Sequence, residues 1–86
     1  MFTQRYFDAL AAEVAAIFRA ERIRRGLSMN AVAERGGLSQ QMVSYVERGM
    51  RNPSLDTMLR MAAALEIDLG NVLQRAQRSA ARLKAK

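Results

Sequence analysis

The punctuation of this chain leaves little room for any fold but a set of short helices. Its one proline is Pro53, and four of its five glycines precede residues suited to start a helix: Gly26 before Ser28, Gly36 and Gly37 before Ser39, Gly49 before Ser54. A glycine just past a helix readily takes the left-handed conformation that ends it, and a serine side chain accepts from the N–H groups of the next first turn. Between these marks apolar residues recur at helical spacing, and no alternating strand pattern or hairpin dipeptide stands out. The first segment runs from Thr3 to Arg25, with a stripe of Tyr6, Phe7, Leu10, Val14, Ile17 and Phe18. A second helix is expected over about 29–35 and a third over about 40–48. A fourth should run from a Ser54 cap to about Glu66, and a fifth from an Asp68 cap to about Leu83. Five helices with short connections make one all-α domain over 1–86.

Composition narrows the chemistry. With 86 residues, half of them apolar, the chain builds one core, and a small one. It has no cysteine and no histidine, which removes disulfides, thiolate metal sites, the usual zinc ligand and the usual general base. No paired constellation of carboxylates, lysines or tyrosines replaces them, so neither an enzyme nor a bound metal or cofactor is expected. The six methionines suit irregular gaps in a core rather than a cofactor site. The N-terminus lacks the basic start and unbroken apolar run of a secretory signal, and no stretch is long enough to span a bilayer. A cytoplasmic protein with no membrane association is expected.

The formal net charge is +6, with a pI near 11.1, which suits a polyanionic partner. Five of the six net charges fall in the C-terminal extension 74–86, on Arg75, Arg78, Arg82, Lys84 and Lys86. The preceding residues are close to balanced, so whatever the middle of the chain recognises is not recognised by bulk charge.

That middle contains Ala33, then Gly37 four residues on and Val43 six further. A small Ala33 lets the next helix cross close above it, Gly37 permits a positive φ in a sharp turn, and Val43 is an apolar knob pointing into the angle. With Val32, Leu38 and Val46 these residues are expected to lock two short helices, over about 29–48, at a steep angle.

The stretches "RIRRGLS", "AERGGLSQQMVSYVERG" and "NPSLDTMLRMAAALEIDL", in that order between Arg22 and Leu73, resemble the Cro/cI-type helix-turn-helix regulators, the XRE-like, lambda-repressor-like family. The resemblance implies a five-helix domain that binds operator DNA, usually as a dimer. The chain departs from the family pattern at Met29, where a glutamine is common, and in its extended first and last helices. On this resemblance the third helix lies in the major groove with its N-terminal residues at the base edges. Gln40, Gln41 and Tyr45 then occupy base-reading positions beside Ser44. A glutamine amide donates and accepts at once, matching adenine N6 and N7. Tyr45 suits either a thymine methyl or a phosphate. Ser28, Met29 and Asn30 at the start of the second helix, with Ser39 at the third, would clamp the phosphate backbone, and Arg48, Arg51 and Asn52 would hold flanking phosphates. The resemblance also implies a partly buried ion pair between Arg22 and Glu47. Leu55, Met58, Leu59, Ala62, Leu65, Ile67, Leu69, Val72 and Leu73 are expected to be core.

The ends carry more apolar surface than such a core requires. Leu69, Val72, Ala76, Ala80 and Leu83 share one face of the fifth helix, and Phe2, Tyr6, Phe7 and Leu10 extend the first. Either the two stripes close on each other within one subunit, or they meet across a homodimer; the second is the expectation, with Phe2, Tyr6, Phe7, Leu10, Ala76, Ala80 and Leu83 as candidates. The function expected is sequence-specific regulation of transcription by a dimer on double-stranded DNA, with no small-molecule ligand. The rival readings are a protein-interaction module on the same fold, such as an antitoxin or adaptor, and a membrane-surface protein using the basic last helix.

Overall fold

A computed structural model describes residues 2–49 and 52–84, with side chains as far as Arg82. Arg51, expected on a phosphate, and the side chain of Leu83, expected at a dimer surface, lie outside the described residues, as does Lys86. The element order is α1 (Gln4–Arg24), α2 (Met29–Gly36), α3 (Gln40–Glu47), α4 (Leu55–Ala64) and α5 (Leu69–Lys84), with no strand among the described residues. Each boundary lies within about two residues of its sequence expectation, as is usual for frayed helix ends.

The helices start where the capping residues stand. Thr3, Ser28, Ser39 and Ser54 have extended backbone and accept through their side chains from Tyr6, Ala31, Met42 and Thr57 N–H. Asp68 Oδ1 accepts from Gly70 N–H at 3.3 Å at the start of α5. Gly37 closes α2 with φ 67°, and the Leu38 N–H reaches back to the Ala33 carbonyl at 2.8 Å. That pairing satisfies a carbonyl the helix leaves open and turns the chain sharply into α3.

The core draws on every helix. Phe18, Val32, Val43, Met61, Leu65, Val72 and Ala76 are fully buried, with Val14, Ile17, Ala33, Val46, Ala62 and Leu69 close around them. Burying these side chains supplies most of the driving force for folding. α2 approaches α4 closely because Gly36 has no side chain: a Cβ there would stand 2.8 Å from the Arg60 carbonyl oxygen. Arg60 strengthens the contact, donating from Nη1 to the Gly36 carbonyl at 3.2 Å and from Nε to Asp56 at 2.9 Å.

Two expectations are corrected here. Leu55 and Leu59 are not core: they are 62% and 50% exposed. α4 carries apolar residues on nearly every side, and Thr57, Met61, Ala62 and Ala64 are the ones turned inward. Ala76 and Ala80 are not available to a partner, because both are buried within the subunit. α5 packs on α1 more extensively than any other two helices pack together, so the inner parts of the terminal stripes close on each other. Leu10 is half-buried against the core, while Phe2 and Phe7 remain half exposed in an aromatic cluster with Tyr6.

Candidate nucleic-acid interface

α3 sorts its side chains by helical spacing. Val43, Val46 and Glu47 are buried, whereas Gln40, Gln41 and Met42 at its first turn and Arg48 at its end are exposed. Ser44 and Tyr45 lie half-buried between the two groups. The helix therefore presents a polar edge held rigidly from behind by apolar packing.

Three of the outward residues are tied to each other. Gln41 Nε2 donates to Tyr45 Oη at 2.9 Å, and the Arg48 guanidinium lies 5.8 Å from the Tyr45 ring centroid. One turn separates each residue from the next, which is why they meet. An arginine within about 6 Å of a tyrosine face is attracted by the ring quadrupole.

Met42 is a surface residue that sequence reasoning does not single out. It is 38% exposed at the start of α3, beside Gln41. A signal for it exists, because one helical step from the buried Val43 turns a residue about 100° off the core face. Its apolar identity suggests packing and hides the position.

Behind the edge stands Arg22. Its Nε donates to Glu47 Oε2 at 2.6 Å, its Nη2 to Glu47 Oε1 at 3.0 Å, and its Nη1 to the Leu27 carbonyl at 3.0 Å. One guanidinium thus joins the end of α1, the turn into α2 and the last turn of α3. The Glu47 side chain is 1% exposed, and the paired fork of bonds offsets its desolvation.

At the start of α2, Ser28 is exposed and Asn30 donates to Glu34 at 3.3 Å. The Met29 side chain packs against the core, so what it offers outward is its backbone N–H. Helix N-termini of this kind, at Ser28 and Ser39, present N–H groups and a positive dipole end to an anion. Asn52 is exposed on the connection from α3 to α4. No group of three or more acidic side chains suited to a metal occurs among the described residues, and none of their helices is long and apolar enough to cross a membrane.

Comparison with known proteins meets this geometry. The Helix-turn-helix family model matches residues 18–71, which takes in α2, α3 and α4. An uncharacterized HTH-type transcriptional regulator of Mycobacterium tuberculosis, Rv0474, is 43% identical over 49 residues, covering 57% of this chain and 35% of the relative. The chain therefore spans about a third of the length of that regulator. Among solved structures, the restriction-modification controller protein C.AhdI of Aeromonas hydrophila is 35% identical, covers 72% of this chain and 94% of its own, and superposes with a TM-score of 0.68. The clp gene regulator ClgR of Corynebacterium glutamicum is 28% identical over 88% of this chain and 81% of its own, with a TM-score of 0.76. The matched segment holds the buried α2–α3 corner and the polar edge that it displays, and the chain belongs to the Cro/cI-type, or XRE, helix-turn-helix family of DNA-binding regulators.

Proposed function

We propose that the chain is a sequence-specific transcriptional regulator of double-stranded DNA, laying α3 in the major groove and acting as a homodimer. The observation that carries this reading is the polar edge of α3, where Gln40, Gln41 and Met42 are exposed at the first turn of a helix anchored by Val43, Val46 and the Arg22–Glu47 pair. Glutamine amides match the major-groove edge of adenine, and an exposed apolar side chain such as Met42 suits a thymine methyl. Ser28, Met29, Asn30 and Ser39 at two helix N-termini, with Arg48, Arg51 and Asn52, set the register on phosphates. The reading places the protein with its DNA in the cytoplasm.

One helix of this length reads only a few base pairs. Two copies on a two-fold axis, with their recognition helices about 34 Å apart, would double the site. With Ala76 and Ala80 consumed inside the subunit, the large apolar side chains left exposed among the described residues, away from the start of α3, are Phe2 and Phe7 on the N-terminal side, Ile23 near the end of α1, and Leu55 and Leu59 on α4. C.AhdI is a restriction-modification controller and ClgR a clp gene regulator, which accords with a regulatory role here.

Selection of bound duplexes from a random pool tests the proposal. The expected product is a short site with two related half-sites about one helical turn apart. Binding that enriches no sequence would leave the exposed aromatic and leucine surfaces as the better guide, and with them the protein-interaction module.

A further inference from the structure

The geometry points to Tyr45 as a positioning residue that fixes the Gln41 amide in the orientation that accepts adenine and rejects guanine, an inference that rests on the base-reading role proposed for α3. An exposed glutamine has three rotatable bonds and an amide whose two ends differ little in shape. Left alone it presents oxygen or nitrogen with similar ease, and it loses that freedom when it binds. Here Nε2 is held on Tyr45 Oη at 2.9 Å, and once the hydroxyl gives its own hydrogen to a DNA phosphate Oη can only accept, so the amide keeps Nε2 toward the ring and Oε1 outward. The bond uses one of the two N–H donors on Nε2. The second N–H and Oε1 remain, and they are the pair that adenine N7 and N6–H₂ require.

Guanine presents two acceptors in the same place, N7 and O6. An amide held with its oxygen outward sets Oε1 against O6, acceptor against acceptor. A glutamine released from Tyr45 can turn its NH₂ group toward guanine instead, so discrimination depends on the tether as well as on the glutamine. The tether is itself anchored. Tyr45 is half-buried, and the Arg48 guanidinium rests 5.8 Å from its ring centroid, so Gln41, Tyr45 and Arg48 form one connected line along α3. An arginine holding a phosphate at the end of that line keeps the ring, and through it the amide, in place.

The test uses the full chain and the duplex it selects. The A·T pair whose preference is lost in Gln41→Ala is replaced by G·C, and binding to the two duplexes is compared for wild type, Tyr45→Phe, Gln41→Ala and the double variant. The wild-type preference for adenine over guanine is expected to be about tenfold or more. Tyr45→Phe keeps the ring and removes the hydroxyl, and should reduce that ratio to about threefold or less, chiefly by improved binding to the guanine duplex. In the Gln41→Ala background Tyr45→Phe should change the ratio no further. An unaltered ratio in Tyr45→Phe overturns the inference, and so does an equal change in the Gln41→Ala background, which would mean that Tyr45 meets the base itself. If Gln41→Ala alters preference at no position, the base-reading assignment of Gln41 fails and the positioning role goes with it; the single variant tells that failure from the others.

Discussion

Arg22 and Glu47, 25 residues apart in sequence, meet through two hydrogen bonds of 2.6 and 3.0 Å, one to each carboxylate oxygen. The carboxylate is almost wholly enclosed, with 1% of the Glu47 side chain exposed against 14% of Arg22. Removing the arginine leaves a buried charge without its counter-ion, which typically costs about 3–5 kcal/mol. Arg22→Ala is therefore expected to lower the denaturant midpoint sharply, whereas Glu47→Gln, which retains the shape and one acceptor, should cost less. Equal losses in the two variants would show that the lost contacts, and not the stranded charge, set the cost.

The corner between α2 and α3 separates two causes of intolerance at neighbouring glycines. Gly37 has φ 67°, and a Cβ there would meet only the flexible end of Arg60. Gly37→Ala should then cost about 1–2 kcal/mol chiefly through backbone conformation, with the displacement of Arg60 Nη1 from the Gly36 carbonyl adding to it. At Gly36 the added Cβ would lie 2.8 Å from a main-chain carbonyl of α4. Gly36→Ala should cost about 1–3 kcal/mol through overpacking, despite alanine's better helix propensity. Truncating Arg60 to alanine should leave the Gly36 penalty in place, and a double variant that recovers it would refute the backbone clash.

Glu66 stands where a glycine is expected. Its φ is 56°, and the Ile67 N–H reaches the Ala62 carbonyl at 3.0 Å, the same closure that Leu38 makes on Ala33 beyond Gly37. The Arg25–Glu66 contact is 3.9 Å with the glutamate largely exposed, and exposed pairs contribute little. Glu66→Gly should raise stability by about 1 kcal/mol, seen as a rise of about 4–8 °C in Tm. A lower Tm would mean that the arginine contact outweighs the backbone strain.

Salt separates the two kinds of contact proposed for the interface. Arg48→Ala should weaken selected and unrelated duplexes, the selected one somewhat more because the Tyr45 ring loses its neighbour, and flatten the slope of log K against log salt by about one unit. Gln40→Ala should leave the slope unchanged and alter only the choice of site. Titrations at several salt concentrations on both duplexes check this, and a Gln40→Ala slope that moved with Arg48→Ala would remove Gln40 from the base edge.

For the homodimer, sedimentation of the full chain is compared with Phe2→Ser/Phe7→Ser and with Leu55→Ser/Leu59→Ser. Loss of the dimer in one pair marks the surface. Two large apolar side chains in either set are far fewer than the roughly 20–30 residues a side of a standard stable interface, so the association expected is weak and strengthened by DNA. A dimer unmoved by both pairs would dismiss these two patches as its cause.

What is legible in the sequence is mostly local. Ser28, Ser39 and Ser54 cap as their spacing implies, and Gly37 takes the positive φ that the α2–α3 corner requires. Such features depend on a few adjacent residues. Leu55 and Leu59 defeat periodicity because α4 is apolar around most of its circumference, so the pattern does not say which side its neighbours cover. Ala76 and Ala80 show the complementary difficulty: their stripe is plain, but a stripe does not name its partner, and α1 of the same subunit covers it. On α3, the spacing of Gln41 and Tyr45 permits contact, but only the side-chain conformations join them.

The packing of α5 on α1 also sets an order of events during synthesis. Among the five helices α1 is made before the others, yet the helix it packs on most extensively, α5, is made after the other four. Until Val72, Ala76 and Ala80 emerge, the nascent chain holds Val14, Ile17 and Phe18 without their complete enclosure. The α2–α3 corner, built from near neighbours, can form meanwhile, so local contacts come early and the joining of the two ends completes the domain late.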